Sequence, residues 1–262
     1  MTDRVELPLS GASFGADPSF VELLRRQRPE ALPPGVPVGV DVPQGTTVLG
    51  LRFADGIVMA GDRRATAGYT IADAKMKKVF PADDFSAIAI AGAAGQAVET
   101  VRLFQLELEH YEKLTGDRLS LEGKANRLAQ MIRANFPLAI QGLVVVPLFG
   151  GYDLSRSEGR LFYYDATGGR WEEEDYQATG SGAQSAKNSL KKRWRAGLAH
   201  QEALRVAVEA LIDAAEDDVA TGGPDLSRGI VPVVVTVTSE GATESSDGDV
   251  AAAVREVLGS RS

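Results

Sequence analysis

Gly45-Thr46-Thr47-Val48-Leu49-Gly50-Leu51-Arg52-Phe53-Ala54-Asp55-Gly56-Ile57-Val58-Met59-Ala60-Gly61-Asp62 is the stretch on which the reading of this chain turns. Residues 46–53 and 57–61 are apolar and rich in β-formers, and Ala54-Asp55-Gly56 between them carries an Asp-Gly turn signal, so a strand hairpin is predicted. A threonine at the start of a strand is ordinarily just a β-former. Cutting the Gly45–Thr46 bond changes its chemistry. One residue then holds a hydroxyl nucleophile and a free α-amine able to take its proton. An α-amine has a pKa of about 7.7–8.0, so it can work as a base near neutral pH. The preceding glycine and the long segment ahead of it favour the nucleophile.

Upstream, seven of the twelve prolines fall within residues 1–45, and 31–43 is rich in Pro, Gly and Val. Proline lacks the ladder donor and fixes φ, so such a segment does not build a core element. Residues 19–28 form a short amphipathic stretch with Phe20, Leu23 and Leu24 on one side. Composition leaves a disordered tail and a removable leader both open. The first residues lack a basic region followed by an apolar stretch, which argues against a secretion signal.

A length of 262 residues with 44% hydrophobic content can bury a full core. No apolar run reaches the length of a membrane span. The chain has no cysteine, which removes disulfides, thiolate metal sites and a cysteine nucleophile together and fits a reducing compartment. A net charge of −8 works against nucleic-acid binding. The two histidines, His110 and His200, sit in polar helical contexts and read as surface residues, so a Ser-His-Asp triad is a poor reading.

Downstream, 74–80 and 85–91 read as strands. A helix over 94–114 follows, with Ala97, Val101, Phe104, Leu108 and Tyr111 on one face, and another over 120–135, with Ser120 as a plain N-cap. Strands are predicted at 143–149, 160–165 and 171–180, and helices at 183–195 and 201–217, the second with Leu204, Val208, Leu211 and Ala215 inward. A strand over 231–238 and a terminal helix with Val250, Val254 and Leu258 close the chain. Strands and helices thus come in blocks, a pattern that favours helices packed on the outer faces of two stacked antiparallel sheets over alternating βαβ units. In a strand over 75–80, Met76, Lys78 and Phe80 share one face and Lys75, Lys77 and Val79 the other. Lys78 then has apolar neighbours on the core side and needs a carboxylate, for which Asp62 at the end of the preceding hairpin is the candidate.

Gly45-Thr46-Thr47, Gly61-Asp62-Arg63-Arg64-Ala65-Thr66, Lys77-Lys78-Val79, Ala91-Gly92-Ala93-Ala94, Gly180-Ser181-Gly182 and Asp218-Val219-Ala220-Thr221-Gly222-Gly223 together resemble the active-site segments of proteasome β subunits. The actinobacterial type is the nearest, through Glu107-Leu108-Glu109-His110-Tyr111-Glu112-Lys113-Leu114 and Thr221-Gly222-Gly223-Pro224-Asp225-Leu226. The resemblance spans residues 46–262. It implies an α+β fold, a four-layer αββα sandwich of two antiparallel sheets of the N-terminal nucleophile hydrolase class. It also implies a propeptide over 1–45 that is removed at Gly45–Thr46, followed by a catalytic domain over 46–262.

The same resemblance makes Thr46 the nucleophile, Asp62 and Lys78 its catalytic ion pair, and Gly92 the oxyanion donor, although Gly92 also suits a plain strand-to-helix turn. Ser181, Asp218 and Thr221 would support the α-amine. Many relatives carry serine at the Thr221 position and at Ala183. Substrate contacts fall at Ala65, Thr66, Met76, Phe80, Ile90, Gly92 and Ala94, none of them charged, so apolar residues are expected before the cut bond. The expected activity is a self-processing threonine endopeptidase without cofactor or metal, although the acids around Asp217 and Asp218 could hold a stray cation. It would sit in the cytoplasm, in stacked heptameric rings with other β subunits and α subunits. A ring-shaped ATP-dependent unfoldase would feed it substrates tagged by a ubiquitin-like protein, and neither nucleic acid nor membrane is expected as a partner. The rival readings are a non-catalytic ring subunit of the same fold, a small-molecule amidase, and a simpler bacterial relative with a very short leader.

Overall fold

The computed structural model describes residues 45–67 and 70–261. The segment ahead of Gly45, with the amphipathic stretch at 19–28 and the Pro-rich stretch at 31–43, lies outside the described residues. In chain order the elements are β1 (Thr47–Phe53), β2 (Gly56–Gly61), β3 (Ala65–Ala67), β4 (Thr70–Asp73), β5 (Val79–Asp83) and β6 (Ser86–Gly92). Three helices follow, α1 (Ala94–Thr115), α2 (Leu121–Ala134) and α3 (Phe136–Ile140). Next come β7 (Val145–Asp153), β8 (Glu158–Tyr164), β9 (Arg170–Glu173), β10 (Tyr176–Gly180), α4 (Ala183–Arg193) and α5 (His200–Asp217). The chain closes with β11 (Val233–Thr238), β12 (Gly241–Glu244) and α6 (Asp247–Ser260).

Two five-stranded antiparallel sheets, in the orders β10-β1-β2-β11-β12 and β5-β6-β7-β8-β9, form the middle layers. Alternation along each strand assigns its side chains to two different cores. Val48 of β1, Ile57 and Met59 of β2, and Val233, Val235 and Val237 of β11 meet Ala87, Ala89 and Ala91 of β6 between the sheets. Their neighbours Leu49, Leu51, Val58, Ala60 and Val234 point the other way, into a core closed by α4, α5 and α6. On the far side, Ile88, Ile90, Phe149 and Phe162 pack under α1 and α2. Three apolar seams between four layers make the αββα sandwich expected from the sequence. Strands covered on both faces read as continuous apolar runs, which is why 47–61 looks uniformly hydrophobic.

Most elements fall where expected, and Ser120 caps α2 by accepting from Gly123 N–H at 3.1 Å. Four readings are corrected. Residues 74–78 are not strand: this segment is held by single bonds such as Met76 N–H to Arg63 O, not by a ladder, so its side chains do not alternate. The stretch 171–180 is two strands in different sheets, β9 paired with β8 and β10 with β1. In the helices, Tyr111 and Leu258 are exposed, and Val257 takes the inward place given to Leu258. His200 is half-buried rather than a surface residue, 3.0 Å from the Thr236 hydroxyl and tilted against the Phe53 ring. It lies at the end of β1 opposite Thr46. The β3–β4 hairpin, α3 and β12 were not anticipated.

Candidate active site

The site gathers at the start of β1, a strand flanked on both sides by β10 and β2. Thr46, 5% exposed, precedes β1, and its carbonyl accepts from Ser181 N–H at 2.9 Å just beyond β10. Its hydroxyl lies 2.7 Å from the Gly45 carbonyl oxygen, to which it donates. Gly45 is squeezed here. A Cβ on it would stand 2.3 Å from the Thr66 hydroxyl oxygen and 2.7 Å from the Ala220 carbonyl oxygen, so only glycine fits without displacement.

Asp62 closes β2 and is 1% exposed. One carboxylate oxygen accepts from Thr47 N–H at 2.9 Å and from the Lys78 ammonium at 2.7 Å. The other accepts from Arg64 N–H at 2.8 Å and Gly222 N–H at 2.9 Å. All four acceptor positions are therefore filled. Lys78, also 1% exposed, turns its three protons to Asp62, to the Arg64 carbonyl at 2.5 Å and to the Gly45 carbonyl at 3.2 Å. Burial pulls its pKa below the ordinary lysine value and the Asp62 carboxylate opposes that shift. Three acceptors surround its nitrogen. Lys78 is thus buried against Asp62, although not through strand alternation; Lys75 is exposed, and Lys77 pairs with Glu244.

Ser181, Asp218 and Thr221 form a second cluster on the nitrogen side of Thr46. Thr46 N–H donates to the Ser181 hydroxyl at 3.4 Å, and Ser181 and Thr221 each lie 2.5 Å from the same Asp218 oxygen. Burial works to raise the Asp218 carboxyl, but these hydroxyls and the Ala220 and Thr221 N–H groups hold it below the usual carboxylate range. Asp217 is bonded separately, to Ser185. Among the described residues no group of three or more His, Asp or Glu side chains is placed to hold a metal ion.

Gly92 ends β6 with φ +119°, and a Cβ there would meet the Val144 carbonyl at 2.0 Å, so its turn role is visible. Of the expected substrate contacts, Thr66 touches Gly45, accepting its N–H at 3.1 Å. Met76, Phe80 and Ala94 are half-buried, whereas Ala65 is buried. Ile90, 2% exposed, lies in the core under α1, with Phe80 packed against that core. Sequence reading missed the Arg64, Gly182 and Gly222 backbone groups and the Thr47 hydroxyl. Backbone donors leave no mark in residue type.

The sequence profile of the proteasome subunit family matches residues 42–225. The chain belongs to that family. Two relatives named proteasome subunit beta come from actinobacteria. The one from Streptomyces griseus subsp. griseus is 54% identical over 245 residues, covering 92% of this chain and 87% of its own length. The one from Acidimicrobium ferrooxidans is 55% identical over 240 residues, covering 91% and 88%. These proteasome relatives bear out the family read from the motifs and its β-subunit type. Among the described residues no helix is long and apolar enough to cross a membrane.

Proposed function

We propose that this chain is a self-processing threonine endopeptidase, the catalytic β subunit of a proteasome core, with residues 1–45 as its removable propeptide. The observation that carries the reading is the placement of the Thr46 hydroxyl and the Lys78 ammonium on one carbonyl, that of Gly45. Lys78 withdraws electron density from that carbonyl. Attack by the Thr46 oxygen closes a five-membered ring; as the C–N bond breaks, the hydroxyl proton ends on the Thr46 nitrogen, leaving an ester between Gly45 and Thr46. Water hydrolyses the ester, releases the Gly45 carboxylate and restores the hydroxyl.

The new α-amine then stands beside Ser181, which links it to Asp218. On a peptide substrate the amine takes the Thr46 hydroxyl proton, the oxygen attacks the carbonyl, and the proton passes to the leaving amine. Gly92 N–H would hold the oxyanion. Lys78 stays charged against Asp62 and favours the unprotonated amine and the nascent alkoxide. The uncharged positions Ala65, Thr66, Met76, Phe80, Ile90 and Ala94 support cleavage after apolar residues. Partners would be α subunits and further β subunits in stacked heptameric rings in the cytoplasm, fed by an ATP-dependent unfoldase with substrates carrying a ubiquitin-like tag.

After assembly with α subunits, intact mass should give a chain starting at Thr46. A Thr46→Ala chain should keep residues 1–45 and cleave no peptide. Peptidase activity in that variant would overturn the mechanism. A fluorogenic panel should be cleaved after apolar residues, and preference for charged ones would refute the specificity.

A further inference from the structure

We propose that Thr47, the neighbour of the nucleophile, is a positioning residue whose hydroxyl orients Thr221 on Asp218 and so sets the basicity of the Thr46 amine. The inference rests on the reading of Thr46 as an N-terminal nucleophile. Thr47 is fully buried, and its oxygen lies 2.6 Å from that of Thr221, itself fully buried. The direction of each proton follows from counting donors. Thr221 has one hydroxyl proton and gives it to Asp218, whose carboxylate can only accept. Thr221 must therefore accept from Thr47. Thr47 in turn accepts from Gly182 N–H at 2.9 Å. A one-way chain results, from Gly182 N–H through the Thr47 and Thr221 hydroxyls to the Asp218 carboxylate.

A second chain ends on the same carboxylate oxygen, running from Thr46 N–H through the Ser181 hydroxyl. The two branches share one negative charge. Donation from Thr47 polarises the Thr221 O–H and strengthens its hold on that oxygen. Without it, more of the charge falls on the Ser181 branch, and the amine binds its proton more tightly. The charged groups facing this corner are Asp218 and Asp62, which raise the affinity of the amine for a proton, and Lys78 and Arg64, which lower it. Thr47 offers the lever that leaves all four charges in place.

The test uses the assembled core particle carrying Thr47→Val, which keeps the shape and removes the hydroxyl, beside Thr47→Ser, which keeps the donor. Maturation is read by intact mass, and kcat, KM and the pH profile of kcat/KM with a fluorogenic peptide. Thr47→Val should still mature at Thr46, keep its KM and lose about three- to tenfold in kcat, the size of one hydrogen bond. The acid limb of its profile should move up by about half a pH unit, and Thr47→Ser should restore both. An unchanged kcat and profile in Thr47→Val would overturn the proposal, and so would equal losses in both variants with a raised KM. Should Thr47→Val not assemble, Thr47→Cys, close in volume but a weak donor, takes its place with the same two outcomes. A wild-type particle whose chains are uncut at Thr46 would sink the nucleophile reading itself, whereas an active wild type with an indifferent Thr47→Val sinks only this inference.

Discussion

Asp62 binds four parts of the chain at one point: the Thr47 amide, the Arg64 amide, the Gly222 amide and the Lys78 ammonium. Its neighbour in function is Gly45, whose carbonyl receives both the Thr46 hydroxyl and Lys78. Gly45→Ala would put a methyl group into the Thr66 hydroxyl and the Ala220 carbonyl. The backbone must move aside and take the carbonyl with it. A displacement near 1 Å costs on the order of 10²-fold in rate for a reaction set by geometry. Gly45→Ala precursor should therefore assemble but process at least tenfold more slowly, as followed by the appearance of the Thr46 terminus in a mass time course. Wild-type processing in this variant would mean that the crowding at Gly45 does not govern the step.

At the scale of elements, α1 is fixed by Phe104, wholly buried and set edge-on to Phe149 of β7 with ring centroids 5.6 Å apart. Truncating it to alanine removes an aromatic ring from a closed seam, at a cost of about 3–5 kcal/mol. A lowered urea midpoint for Phe104→Ala at unchanged slope would check it, while a loss below about 1 kcal/mol would mean that the seam re-closes. The periodicity of α1 and α2 was readable because a 3.6-residue apolar stripe has one physical cause, burial of one face. The hairpin β1–β2 was readable from its turn. What escaped were short pieces defined by partners: β12 exists by pairing with β11, and β3 with β4. The break between β9 and β10 escaped because the run from Trp171 to Tyr176 holds no Gly or Pro to mark the step from one sheet to the other. In the site, Thr46, Asp62 and Lys78 were legible as residue types with chemistry, whereas the alternation used to bury Lys78 was the wrong reason for the right burial.

For the molecule as a whole, acid should be the weak side. Arg170 and Arg160 hold Glu122 below its ordinary value, and Arg160 does the same for Glu172. At Asp153 and Asp218, burial pushes upward and is outweighed by hydrogen bonds, from Ser155 and Arg160 in one case and Ser181 and Thr221 in the other. Each folded value lies below the unfolded one, near 3.8 for Asp and 4.5 for Glu. The stabilisation is then complete above those values and is lost as the pH falls through them toward the folded values. The urea midpoint should stay level from neutral pH to about 5 and drop below about 4. A midpoint that falls steadily from pH 7 would point to other groups. One more consequence comes from where β1 sits. Because β10 holds it from Thr47 and β2 from Val48, severing the backbone just ahead of it leaves the fresh terminus moored rather than dangling. Amide exchange along 47–53 should look alike in the precursor and the matured particle.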